Sequence, residues 1–273
     1  MIQTPPATGA PFLDLDPRVE SREPSISNLA FVVGGVRSPA VSYVERPVAS
    51  PLVACTWEQI EPAARELRIV PDACVDLIWS DEELSIAGPD TRARVVALGP
   101  GTRFVGVRLR PGVAGAVLRV PASELCNCTV DAAEVVGYEV AAPLLEALAG
   151  GDDPHALLLQ AVLERGVREP DPLVRAAVAA LGRPRARVSL VAAELGVSAR
   201  QLQRLVSSAA GYGPKLLARI LRFQRLQALA PAPLLELALE AGYADQAHMT
   251  AEVRALAGLS PVRFLKDRAP TAA

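Results

Sequence analysis

Val188-Ser189-Leu190-Val191-Ala192-Ala193-Glu194-Leu195-Gly196-Val197-Ser198 is echoed further along the chain by Leu235-Glu236-Leu237-Ala238-Leu239-Glu240-Ala241-Gly242-Tyr243-Ala244-Asp245. In the first copy Ser189 is placed to cap a helix whose apolar residues Leu190, Val191 and Leu195 recur at helical spacing, while Ala192 and Ala193 let another helix approach closely. Gly196 falls where the chain must turn, a place suited to φ > 0. Ser198 then opens a second helix, and Gln201 completes a capping box with it. Leu202, Leu205 and Val206 form the inward stripe of that helix. In the second copy Ala238 occupies the tight crossing, Gly242 the turn, and Met249 and Val253 the stripe; Ala244 stands in its turn in place of a good cap.

The punctuation after each copy is repeated as well. Gly211-Tyr212-Gly213-Pro214 and Gly258-Leu259-Ser260-Pro261 are each a glycine stop followed by a helix-starting proline. Between the copies, residues 215–229 read as one helix with Leu216, Leu217, Ile220, Leu221, Phe223 and Leu226 on its apolar side, a rigid spacer for two helix-turn-helix units. A bundle of amphipathic helices without a DNA role explains the apolar periodicity but not the duplicated glycines and caps.

These segments resemble the C-terminal domain of AraC-type transcription regulators over residues 185–268. The resemblance is carried by Leu195-Gly196-Val197-Ser198, Leu202-Gln203-Arg204-Leu205, Gly213-Pro214-Lys215, Arg222 with Arg225-Leu226, Ala241-Gly242-Tyr243, Asp245-Gln246 with His248-Met249, and Gly258-Leu259-Ser260-Pro261 with Phe264. It implies two recognition helices on double-stranded DNA. The outward faces supply the residues: Arg200, Gln203, Arg204, Gln246, Ala247 and Thr250 for base reading, and Ser198, Gln201, Lys215, Arg219, His248 and Arg254 for phosphates. The second unit departs from the family at Ala244, Ala251 and Glu252, so the first unit is expected to carry more of the base reading.

Charge is partitioned in the same sense. From Arg183 onward thirteen Lys and Arg stand against six Asp and Glu, a net +7, so with −2 overall residues 1–182 carry −9. A basic tail on an acidic body suits a chain in which one domain meets phosphate. No apolar run approaches the roughly 20 residues of a membrane helix, and Met1-Ile2-Gln3-Thr4-Pro5 lacks the basic start of a signal peptide. The expectation is a soluble cytoplasmic protein with no membrane partner, its four cysteines reduced. There is no G-x-S-x-G, nucleotide-binding glycine loop, H-E-x-x-H or histidine cluster, so the sequence points away from an enzyme and implies no cofactor.

The expected fold is α+β: a lead over residues 1–26 rich in Pro, Asp and Glu, a β-rich sandwich or barrel-like domain over 27–136, a helical connector over 137–182 and the tandem helix-turn-helix domain over 183–268. Strands are predicted at residues 29–33, 51–57, 74–79, 84–87, 94–98 and 104–109, each bounded by Gly, Pro or Asp turns. Residues 139–148, 155–164 and 172–181 read as helices, with His155 heading a surface helix. Val70-Pro71-Asp72-Ala73-Cys74-Val75-Asp76-Leu77-Ile78-Trp79, followed by Gly106-Val107-Arg108-Leu109-Arg110-Pro111-Gly112, resembles a sensor-like domain of undefined function in a subgroup of the same regulators. That domain commonly has glycine where Ala73 stands, which suggests that the backbone there need not take φ > 0.

Trp57, Trp79, Phe104 and Leu109, with Asp72, Asp76, Arg108 and Arg110 nearby, are the candidates to enclose a small organic effector. The competing reading makes the tryptophans ordinary core and the charged pairs structural. Cys126 and Cys128, as C-x-C, are the candidates for a soft metal or redox relay, with Cys55 or Cys74 as a third thiol, though no paired histidine accompanies them. Three readings therefore stand: an effector-responsive regulator, an effector-independent DNA-binding protein whose N-terminal domain oligomerises or meets partners, and a thiol- or metal-responsive regulator. A homodimer, and RNA polymerase for an activator, complete the expected partners.

Overall fold

A computed structural model describes residues 42–80, 82–166 and 170–267. The strand expected at 29–33 and the lead over 1–26 lie outside the described residues. Strands β1 (Ser42–Pro47), β2 (Val53–Ile60), β3 (Arg65–Ile69), β4 (Val75–Ser80), β5 (Glu83–Ala87), β6 (Arg94–Leu98), β7 (Arg103–Leu109) and β8 (Thr129–Asp131) form two antiparallel sheets. One is six-stranded in the order β1-β2-β7-β4-β5-β8; the other pairs β3 with β6. Among the described residues no closed barrel forms, because β1 and β8 end the larger sheet as edges.

The larger sheet has two distinct faces, as the period of two along each strand dictates. Val53, Val75, Leu77, Val105, Val107 and Leu109 point toward α1 (Ala114–Leu118), α3 (Tyr138–Ala149) and α4 (Pro154–Arg165), whose Val117, Ala141, Leu148, Leu158 and Val162 complete one buried apolar cluster. A further short helix, α2 (Ala132–Val136), is capped by the Asp131 carboxylate, which accepts from the Ala133 amide at 2.7 Å. On the opposite face Trp57 lies across Gly106, where an added Cβ would come within 2.3 Å of the indole. Only glycine on β7 admits that ring.

α5 (Pro172–Gly182) leaves the sheet and joins a second core. Its Ala177, Ala180 and Leu181 share a buried cluster with residues of α6 (Val188–Glu194), α7 (Ala199–Ala210), α8 (Pro214–Ala228), α9 (Leu234–Ala241), α10 (Gln246–Ala257) and α11 (Pro261–Asp267). The expected connector is thus divided between two cores. At roughly 25 cal/mol per Å² of apolar surface, the burial of Leu202, Leu217, Ile220, Phe223, Leu226, Met249 and Phe264 is the main force holding these helices together. Among the described residues no helix is long and apolar enough to cross a membrane.

One expectation is corrected here. Ala73, expected to need no positive φ, sits at φ 68°, inside the left-handed region. Its methyl is buried in the C-terminal core, and that packing, with the Asp72 side chain accepting from the Cys74 amide at 2.9 Å, holds the strained backbone. His155 stands at the head of α4, with its ring largely buried, 3.4 Å from Glu58 and against Arg46.

Candidate nucleic-acid interface

The two helix-turn-helix units close their turns with the same hydrogen bonds. Gly196 donates to Ala193 and Val197 to Ala192 at 3.0 Å; Gly242 donates to Leu239 and Tyr243 to Ala238 at 2.8 Å. Both glycines are left-handed, at φ 65° and 91°, as the turn requires. The caps then differ. Ser198 forms the expected capping box, its hydroxyl accepting from the Gln201 amide and its own amide donating to Gln201 Oε1 at 2.8 Å. In the second unit the turn is one residue longer: Asp245, not Ala244, is the cap, accepting from the His248 amide at 2.7 Å. Ser189 does not cap α6, which starts two residues earlier than such a cap would place it, behind Arg187 and with no side-chain cap.

Beyond the caps the units superpose in pattern. α7 and α10 each span 12 residues; Leu202 and Val206 in one, Met249 and Val253 in the other, are fully buried, and left-handed Gly211 and Gly258 end them. Arg200, Gln203 and Arg204 stand exposed on α7, with Gln203 Nε2 donating to Ser207 Oγ at 3.1 Å. On α10 Gln246, Ala247, Thr250, Ala251 and Arg254 line an open depression of about 530 Å³. Thr250 Oγ1 donates back to the Gln246 carbonyl at 2.8 Å. Base-reading candidates of each unit therefore share one helix face.

The phosphate candidates divide. Lys215, in the first turn of α8, and Arg254 are exposed. Ser198 and Gln201 are engaged with each other in the cap. His248 turns inward, its Nδ1 accepting from the Ala244 amide and its ring edge-on to Tyr243 at 5.4 Å. Arg219 is held by both oxygens of Glu252 at 2.9 Å, which gives the acidic departure in the second unit a structural role.

The effector candidates do not converge on one pocket. Cross-strand register puts Trp57 and Phe104 on one face of the sheet and Trp79 and Leu109 on the other, because Trp57 pairs with Gly106 while Trp79 pairs with Val105. Arg110 donates to the Ser50 carbonyl at 2.9 Å, away from the rest. What does form is a buried polar cluster. Asp76 Oδ1 accepts from Trp57 Nε1 at 3.0 Å and from Arg108 Nε at 3.1 Å; Arg108 also reaches Glu45 at 3.1 Å and Asp72 at 3.5 Å. Burial, opposed in part by Arg108 and reinforced by Asp76, raises Asp72 to about 6. Sequence reading missed Glu45 and Tyr43, which donates to Glu45, because the short, mixed β1 was not recognised; the alternation of Tyr43 and Glu45 before Pro47 was the available signal.

The thiols are scattered. Cys55 and Cys74 are buried, Cys126 is half-buried and Cys128 exposed. Burial pushes the Cys55 thiol up to about 12 and also raises Cys126, which depletes the reactive thiolate. Among the described residues no His, Cys, Asp or Glu group is arranged to hold a metal ion.

With the geometry in view, residues 191–267 match the helix-turn-helix domain family of the AraC type, and residues 43–131 match a domain of unknown function (DUF6597). This chain carries an AraC-type helix-turn-helix domain. DNA-binding transcription regulation is the work of that domain type. No curated protein matches the sequence. Solved structures similar to the chain include ToxT from Vibrio cholerae O395, at 10% identity and TM-score 0.43 over 79% of this chain and 97% of that one. Unsaturated fatty acid-bound ToxT from strain SCE256 is similar at 9% identity and TM-score 0.43, over 87% and 100%.

Proposed function

We propose that the AraC-type chain is a sequence-specific regulator whose helices α7 and α10 enter successive major grooves on one face of the duplex, with α7 reading more bases than α10. The observation that carries this is the duplication itself: two 12-residue helices, each capped, each ended by a left-handed glycine and each exposing its polar face, joined through the continuous helix α8. Such units sit about 34 Å apart, one DNA turn. Arg200, Gln203 and Arg204 offer guanine- and adenine-reading groups, whereas α10 offers Gln246 and Thr250 beside two alanines.

Selection from randomised duplex DNA tests this reading. Two enriched segments about 10 base pairs apart are expected, with specific binding lost when about five base pairs are inserted between them. Retained affinity after the insertion would show that one unit is idle. For the N-terminal domain, the mutual saturation of Trp57, Asp76 and Arg108 favours a structural role for these residues over direct ligand contact. A thermal-shift screen of the full chain separates effector-responsive from effector-independent regulation: stabilisation by one metabolite class supports the first, and dimerisation without a ligand response supports the second.

A further inference from the structure

The sheet domain holds the C-terminal helices at three places. Gln224 on α8 donates through Nε2 to the carbonyl of Pro71, at a buried site where Gln224 Oε1 has no hydrogen-bond partner among the described residues. The end of α10 is bound by the Ala93 amide, which donates to the Leu256 carbonyl at 2.7 Å, and by Arg68, which donates to the Ala257 carbonyl at 3.4 Å. The end of α7 abuts Pro89 and Ala122, so closely that a Cβ on Gly211 would lie 2.5 Å from Pro89. Two of these grips fall at the C-terminal ends of α7 and α10, and the third on the helix between the units. Arg200, Arg204, Gln246 and Ala247, in the N-terminal halves of α7 and α10, remain exposed.

The turn between β3 and β4, residues 70–74, belongs to both sides of this contact. Val70 and Ala73 lie in the buried apolar cluster of the C-terminal helices, and Pro71 receives Gln224. Asp72, between them, faces Arg108 at 3.5 Å and so joins the cluster of Glu45, Trp57 and Asp76. A buried amide oxygen left without a partner costs stability, so Gln224 is not explained as core filler; its other end serves Pro71.

We propose that the 70–74 turn is a clasp through which the N-terminal domain fixes the relative placement of the two recognition helices, and that Asp72 ties this clasp to the Arg108 cluster. A shift of that cluster moves the turn, and with it α8 and the helices it spaces. The clasp rests on the proposed DNA reading only where DNA is the readout.

Hydrogen exchange on the full chain tests it, with Asp72→Ala removing the side chain that faces Arg108 and accepts from the Cys74 amide, and Gln224→Met acting from the helix side without touching the sheet. Exchange at residues 207–210 and 253–257 should accelerate roughly tenfold in both variants while residues 53–60 and 103–109 keep their rates. Unchanged rates at the ends of α7 and α10, or acceleration confined to the strands around Arg108, would overturn the clasp. Selection from randomised duplex DNA is the second arm: the native chain should enrich one spacing between half-sites and Gln224→Met several. A single shared spacing despite faster exchange would overturn the claim that the clasp sets it; failure of the native chain to select any sequence would overturn the DNA reading and leave the exchange result to decide the clasp.

Discussion

Arg219 on α8 and Glu252 on α10 form a half-buried ion pair, with the guanidinium Nε 2.9 Å from each carboxylate oxygen. The pair fastens α10 to α8, and on the proposed DNA reading it withdraws a cation from the charge that would meet phosphate. Glu252→Gln should therefore act in two directions. It should lower stability by about 1 kcal/mol, as loss of a partly exposed pair does. It should also release Arg219 for phosphate, steepening the slope of log affinity against log salt by about 1. Parallel urea titrations and salt-dependent binding to random duplex DNA check both; an unchanged slope would mean that Arg219 never reaches the backbone.

Arg204 and Gln203 are neighbours with unequal freedom. Arg204 is exposed, whereas Gln203 already donates to Ser207. Reading a base costs Gln203 that bond and costs Arg204 nothing comparable. Arg204→Ala is expected to weaken operator binding by about 1 to 3 kcal/mol and relax preference at one base pair, with Gln203→Ala losing less. Equal weakening of Arg204→Ala on operator and random DNA would mark a phosphate contact instead.

Legibility in the sequence followed the range of the interactions. The capping box of Ser198 and Gln201, the four turn and stop glycines and the prolines opening α8 and α11 are local devices, and each reads directly from adjacent residues. What depended on register did not. Trp57 and Trp79 look like partners in sequence, but which face each occupies is set by cross-strand pairing and by the irregularity between Val53 and Cys55. β3 escaped notice because Leu67 alone among its five residues is fully buried. The clasp residues Pro71 and Gln224 are separated by most of the chain, and no local pattern connects them.

Ala73 carries a cost that substitution can expose. A non-glycine residue at φ 68° pays about 1 kcal/mol, and removing a buried methyl costs about 0.8 kcal/mol. Ala73→Gly should thus leave stability within about 0.5 kcal/mol of the native chain, the two effects offsetting. Ala73→Val, a β-branched side chain in the left-handed region and in a filled core, should lose about 2 to 3 kcal/mol. Chemical denaturation midpoints decide the matter, and a well-tolerated valine would refute the strained turn.

Burial raises Asp72 to about 6, with Asp76 adding to the shift and Arg108 opposing it. An acid whose folded pKa exceeds its unfolded value of about 3.9 binds its proton more tightly in the folded chain. Its ionisation therefore subtracts stability as pH rises from about 4 through about 6. Glu61 has the opposite sign: its burial is outweighed by Arg65 at 2.6 Å and by Gln59, its pKa is lowered, and its contribution is lost only as pH falls below the ordinary glutamate range. The difference in urea midpoint between Asp72→Asn and the native chain should grow in favour of the variant between about pH 4.5 and pH 7. A pH-independent difference would mean that Asp72 ionises as readily folded as unfolded.

Where the DNA-binding part can be cut follows from the second core. Ala177, Ala180 and Leu181 of α5 are buried with the C-terminal helices, so a fragment starting at Arg183 strips the core of one wall, whereas one starting at Pro172 keeps it. Burying these side chains contributes on the order of 3 kcal/mol, a large share of the 5 to 15 kcal/mol typical of a domain. The 172–273 fragment should fold cooperatively and the 183–273 fragment should melt lower by about 10 °C or more. Freed from the acidic body, the longer fragment should also bind random duplex DNA more tightly than the full chain at equal salt. Weaker binding would show that residues 1–171 add affinity, as a dimerisation platform linking two DNA-binding tails does.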